Sequence, residues 1–147
     1  MEDGSIKISD SAFTPQQTPL RLSISQYPLT AHHQVTAHKV SHRDFYEGER
    51  HRLKAQSGCD EVVFLNANGE LCEGSFTNLF IEKDGRLLTP SLEAGLLPGV
   101  LRAHMIASGQ AEACRLTYDD LIDADAIYAG NSLRGLMTAM LISEKRL

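Results

Sequence analysis

The run from Glu61 to Pro90, EVVFLNANGELCEGSFTNLFIEKDGRLLTP, restricts the fold of this chain more than any other stretch. A strand-forming segment, Val62 to Leu65, meets an Asn-Gly turn at Asn68-Gly69, and a second strand follows. Asn78 to Ile81, a Lys-Asp-Gly turn and Arg86 to Thr89 then predict another strand pair. The pattern is that of a β-meander. Glu73 sits in the middle of it, followed by Gly74, Ser75 and Phe76. A carboxylate within an apolar strand run either lies on a solvated face or meets a cationic or protonated partner, because burying it alone is costly.

At 147 residues and 42% hydrophobic, the chain has material for one domain with a sizeable core and too little for two full ones. Its formal net charge of -5 and the scatter of its 14 Lys and Arg argue against a nucleic-acid surface. Cys59, Cys72 and Cys114 form neither a metal-type pair nor an even disulfide set, which points to a reducing cytoplasm. No basic-then-apolar leader and no membrane-length apolar run is present, so a cytoplasmic chain is expected.

Taken in order, Gly4 to Phe13 reads as an edge strand, and Thr14 to Pro19 as a polar linker with two prolines. Leu20 to Ser25 alternates as a half-buried strand. Histidines crowd between Ala31 and His42. Asp44 to Ser57 is predicted helical and stopped by Gly58. After the meander, Leu97-Pro98-Gly99 opens a helix over Val100 to Ser108. Ala113 to Leu116 is a short strand, and Thr117 to Asp120 fits a capping box before a brief helix to Ala124. Asp125 to Ala129 is a strand ending in the loop Gly130 to Gly135, and Leu136 to Ile142 is an apolar tail. The fold class expected is α+β, with a central β-meander or pseudo-barrel and flanking helices.

His32, His33, His38 and His42 complete no recognisable zinc motif, so no metal site is assigned. Lys39 is more informative. Its surroundings read HKVSHRDFYEGER, and after them come ELCEGSFTNLFIEKDGRLLTP with Glu73, then GLLPGVLR, then YAGNSLRGLMTA. In this order, over Thr30 to Ala139, these segments resemble the large domain of the fold-type IV pyridoxal-phosphate enzymes, the D-amino-acid aminotransferase-like group. That group holds branched-chain and D-amino-acid aminotransferases and aminodeoxychorismate lyase. The HK-x-x-x-R-x-x-Y opening and the NSLRG close are most similar to the lyase.

The resemblance implies a set of roles. Lys39 would bind pyridoxal 5'-phosphate covalently and, once freed by the substrate amine, act as a base with a pKa lowered toward neutrality. Glu73 would face the pyridine nitrogen and keep it protonated, which is the partner a half-buried strand glutamate requires. Val100 and Leu101, at a helix start with free N–H groups, would hold phosphate by backbone, with Asn131 and Ser132 from the later loop. Arg134 would take a substrate carboxylate, with a surface salt bridge as the alternative. Arg43 matches the family pattern without an assigned role, and Asn78 is read as satisfying strand backbone near the cofactor.

The resemblance also implies what is missing. Enzymes of this group carry a smaller N-terminal domain that gives the phosphate an arginine and closes the substrate wall. Residues 1–29 read as the remnant of its hairpin, a linker and a first strand, and 30–147 as the pyridoxal-phosphate-binding large domain. A homodimer is expected, and a separate small-domain chain or a synthase component is the further partner such a chain would need. The implied function is elimination of pyruvate from 4-amino-4-deoxychorismate to give 4-aminobenzoate, with activity lost if half the pocket is absent. A branched-chain or D-amino-acid aminotransferase, and a non-catalytic or partner-binding domain, are the alternatives.

Overall fold

In the computed structural model, residues 18–29 and 43–142 are described. The strands are β1 (Leu20–Ile24), β2 (Glu61–Leu65), β3 (Leu71–Gly74), β4 (Asn78–Lys83), β5 (Arg86–Pro90), β6 (Glu112–Cys114), β7 (Ala126–Asn131) and β8 (Gly135–Leu141). The helices are α1 (Arg43–Ser57), α2 (Val100–Ala107) and α3 (Tyr118–Ile122). The strands form one mixed sheet in the order β3-β2-β1-β8-β7-β4-β5-β6.

The Glu61 to Pro90 run folds as two hairpins rather than as four strands paired in succession. β2 and β3 pair antiparallel, as do β4 and β5, but β3 and β4 are not neighbours in the sheet. Each hairpin turn has a local cause. The Asn66 side-chain oxygen accepts the N–H groups of Asn68 and Glu70, at 2.9 and 3.0 Å. Asp84 and Gly85 both take positive φ, 53° and 78°, the geometry that matches the right-handed twist of the strands they join.

The sheet curls until its two ends meet. Leu71 on β3 donates its N–H to the Leu116 carbonyl beyond β6, at 2.8 Å, and Glu70 bridges Thr117. The result is the expected pseudo-barrel with flanking helices. Period-two alternation sorts its side chains. Val63 and Leu65 of β2 and Leu79 and Ile81 of β4 join the inner cluster with Leu22, Leu71 and Met137. Val62 and Phe64 turn the other way, against Tyr46 of α1, and Phe80 packs against Leu101 and Met105 of α2.

Three local expectations shift. β1 is covered further than a half-buried strand: Arg21 stays exposed as read, but Ser23 on the same face is buried and meets Ser57 of α1 at 2.9 Å. The apolar tail is β8, which lies between β1 (parallel) and β7 (antiparallel). The short strand predicted at Ala113 to Leu116 is β6, Glu112–Cys114. The capping box forms as read: Thr117 accepts the Asp120 N–H, and the Asp120 carboxylate accepts the Thr117 N–H. Among the described residues no helix is long and apolar enough to cross a membrane. The strand read at Gly4 to Phe13, the linker read at Thr14 to Pro19 and the histidine cluster lie wholly or mainly outside the described residues.

Candidate active site

The site is built on a buried carboxylate that gave no signal in the sequence. Glu61 opens β2 and is fully buried. One of its oxygens accepts the N–H groups of Val62 (2.8 Å) and Ser75 (3.0 Å) and the Ser75 hydroxyl. The other accepts the Phe76 N–H at 3.0 Å and the Thr77 hydroxyl at 2.8 Å. Several donors thus replace the water this charge has lost, and none of these partners is a cation. The arrangement fixes the turn between β3 and β4. It also explains Gly74, where a Cβ would come within 2.5 Å of Thr77 Oγ1 and closer still to the Glu61 carboxylate.

That turn delivers Phe76, Thr77 and Asn78 to the wall of a cavity of about 150 Å³. Glu73, one residue before Gly74, lines the same cavity and is 5% exposed, so it is not on a solvated strand face. The Tyr46 hydroxyl of α1 donates to one oxygen at 3.0 Å, and the Leu97 N–H donates to the other at 3.1 Å. Burial pushes the carboxyl up to about 7, against the pull of these two donors and of the Arg43 charge. The Tyr46 phenol is raised as well, by its own burial and by Glu73 beside it. Arg43 lines the cavity too, four residues after Lys39.

The opposite wall is the start of α2. Its N-cap, Gly99, makes no side-chain cap bond, which leaves the first N–H groups of the helix without a capping acceptor. Asn78 reaches across from β4 and donates to the Leu97 carbonyl at 3.2 Å, so it anchors this loop rather than strand backbone. A side chain at Gly99 would overlap the Asn78 amide oxygen, so the close approach needs glycine. Val100 lines the cavity. Leu101 does not; its side chain packs in the core with Phe80, Met105 and Ala111.

The end of β7 and the loop after it bring Asn131 and Ser132, both on the cavity wall. The Asn131 side chain is already committed: it donates to the Phe76 carbonyl at 3.0 Å and accepts the N–H groups of Leu133 and Arg134, at 3.1 and 2.8 Å. It therefore locks the β7–β8 loop onto the Glu61-held turn. Arg134 lies outside this cavity and instead lines a neighbouring one of about 470 Å³, which shares Phe76 with it. Lys39 lies outside the described residues.

Five of the residues singled out in the sequence, Glu73, Val100, Asn131, Ser132 and Asn78, converge on one cavity, with Arg43 beside them. Missed were Glu61, which no sequence signal singled out, and the parts played by Tyr46, which entered only as the last residue of the HK-x-x-x-R-x-x-Y motif, and by Phe76. A buried carboxylate poised near neutrality, facing a helix start across a small cavity, suits a ligand carrying a protonatable ring nitrogen at one end and a phosphate at the other. Among the described residues no group of His, Cys, Asp and Glu side chains is assembled to hold a metal ion.

The sequence model of the family described as amino-transferase class IV matches residues 2–142. A Mesorhizobium loti protein, solved as an assigned amino-acid aminotransferase, is 42% identical at a TM-score of 0.78, over 88% of this chain and 64% of that one. Aminodeoxychorismate lyase of Vibrio harveyi is 33% identical over 88 residues, 56% of this chain and 32% of the lyase. The branched-chain amino acid aminotransferase of Thermobaculum terrenum, solved in its PLP form, shares the fold at a TM-score of 0.75 and 18% identity, over 87% of this chain and 44% of that one. The chain thus spans between 32% and 64% of the lengths of these relatives.

Proposed function

The chain belongs to the amino-transferase class IV family of pyridoxal-phosphate enzymes, and on that footing we propose that it holds pyridoxal phosphate for the elimination of pyruvate from 4-amino-4-deoxychorismate, leaving 4-aminobenzoate. The observation that carries the cofactor reading is Glu73, buried and pushed up to about 7. A cationic ring nitrogen beside that carboxyl would bring it back to the charged form and would itself be held protonated. The free N–H groups at the start of α2, contributed by Val100 and Leu101, and the Ser132 segment, positioned by Asn131, suit the phosphate.

When bound, the cofactor supplies an electron sink for the bonds at the carbon that bears the substrate amine. The protein does the rest. Lys39 would hold the cofactor and, when freed by the substrate amine, would take the proton from that ring carbon at its Nζ. The ether C–O bond would then break, the leaving enolpyruvate would take up a proton, balancing the one held by Nζ, to become pyruvate, and the ring would become aromatic. Tyr46 and the Leu97 N–H hold Glu73 in place, so the carboxylate needs no reorganisation as charge moves.

The lyase reading is supported by the NSLRG segment and by the aminodeoxychorismate lyase relative. An amino-acid aminotransferase is the second reading, favoured by the Mesorhizobium loti structure at 42% identity. Either activity belongs to enzymes longer than this chain, and a homodimer is the assembly we assign. Pyridoxal phosphate titrated into the protein should give the visible absorbance of a lysine-bound cofactor, and Lys39→Ala should abolish it. Pyruvate release without amine transfer identifies the lyase; amine transfer without pyruvate elimination identifies the aminotransferase. A cofactor spectrum unchanged by Lys39→Ala would overturn the site.

A further inference from the structure

Arg102 is the third residue of α2 and, among the described residues, the only buried cation, 4% exposed. Its Nη2 donates to the Pro90 carbonyl at the end of β5, at 2.9 Å, while its buried Nε–H meets no acceptor. A carbonyl satisfies one donor and leaves the charge uncancelled. No carboxylate pairs with this guanidinium among the described residues; the arginines that do pair are Arg21, Arg52, Arg86 and Arg115, all of them more exposed. Burial alone bears on Arg102, pulling its pKa down, whereas Arg43 is the cation that acts on Glu73. An uncancelled charge held out of water marks a counter-ion that the free protein does not supply. The helix that carries it has the same need. The N–H groups behind Gly99 lack a side-chain capping acceptor, and Gly99 and Val100 line the Glu73 cavity.

We propose that Arg102 is a positioning residue for the phosphate end of the cofactor, its charge acting through α2. Arg102 does not line the cavity, so it works through the helix and not by contact. The Pro90 bond fixes where the guanidinium sits, and a cation buried in the first turn of α2 adds to the positive end of the helix dipole. In a water-poor interior such a charge is felt beyond hydrogen-bond distance. The two walls of the cavity then match a ligand of two signs. Glu73 meets the protonated ring, and the start of α2, charged by Arg102, meets the phosphate. This rests on the cofactor reading above and holds for elimination and amine transfer alike.

Calorimetry on the full chain with pyridoxal phosphate, pyridoxal and inorganic phosphate tests the assignment, alongside the melting temperature of each ligand-free variant. Arg102→Gln keeps an N–H donor for Pro90 and removes the charge. It should weaken pyridoxal phosphate and inorganic phosphate by about five- to tenfold and leave pyridoxal, which has no phosphate, unchanged. Arg102→Lys should retain most of both phosphate affinities, because it keeps the charge. Arg102→Met should match Arg102→Gln in affinity and melt no lower than the native chain, since it buries no unpaired charge. Equal losses for pyridoxal and pyridoxal phosphate overturn the proposal, because a merely structural role weakens both. Native phosphate affinity in Arg102→Gln or Arg102→Met overturns it as well. A native chain that binds inorganic phosphate but no pyridoxal phosphate, with the phosphate weakened in Arg102→Met, supports the role of Arg102 while sinking the cofactor reading.

Discussion

Glu73 is the residue at which burial and chemistry pull in opposite directions. Its folded-state pKa of about 7 lies above the ordinary 4.5, so between those values the folded chain binds more protons than the unfolded one. Stability contributed by this group is therefore complete below pH 4.5 and is lost as pH rises through 7, by on the order of 3 kcal/mol. Urea denaturation of the cofactor-free chain should show that fall between pH 5 and 7.5, and Glu73→Gln should flatten it. An unchanged slope in Glu73→Gln would mean the carboxyl is ionised throughout. The sequence made Glu73 visible because a carboxylate inside an apolar strand stands out. Glu61 stayed invisible because, apart from the Val62 N–H beside it, its partners are backbone N–H groups and two hydroxyls from a turn more than ten residues away, and these carry no compositional mark.

Among the elements, the turn between β3 and β4 is the one on which the others depend. It is held from below by Glu61 and from the side by Asn131, and it presents Phe76 to both cavities. Gly74→Ala places a methyl group against Glu61 and Thr77 and should cost roughly 1–3 kcal/mol, the range for overpacking a filled site. The loss should appear as a lower denaturation midpoint. Glu61→Ala should be no milder, since it strands buried donors. A Gly74→Ala protein as stable as the native one would show that the turn yields. The hairpins were legible because Asn68-Gly69 and Asp84-Gly85 carry turn chemistry in the residues themselves. The crossing from β3 to β4 was not, because Gly74 to Thr77 reads as one more tight turn. β3 and β4 do not pair because β2, β1, β8 and β7 lie between them in the sheet, an order no local pattern reports.

At the scale of the molecule, the two most exposed large apolar side chains among the described residues are Val100 (72%) and Leu133 (73%). They sit on the two segments that frame the cavity, the start of α2 and the β7–β8 loop. A soluble surface seldom leaves such groups uncovered around a binding site. We expect the chain to self-associate, and Leu133→Asp to shift it toward monomer in sedimentation. A monomer at high concentration in the native chain would contradict this. The α+β class was legible in the sequence, but the place of β8 was not. Its hairpin with β7 is local, but its other partner is β1, with Leu20 to Leu22 against Ala139 to Leu141, and no local pattern reports a pairing across more than a hundred residues. That placement has a consequence during synthesis. A ribosome emits β8 after every other strand of the sheet, so β1 must wait through the making of all the intervening residues, on the order of ten seconds at the usual pace of translation. Throughout that interval the nascent chain offers the raw edge of β1 to any strand nearby, joined near its end by that of β7, and it is over that span, rather than in the finished protein, that a chaperone would help.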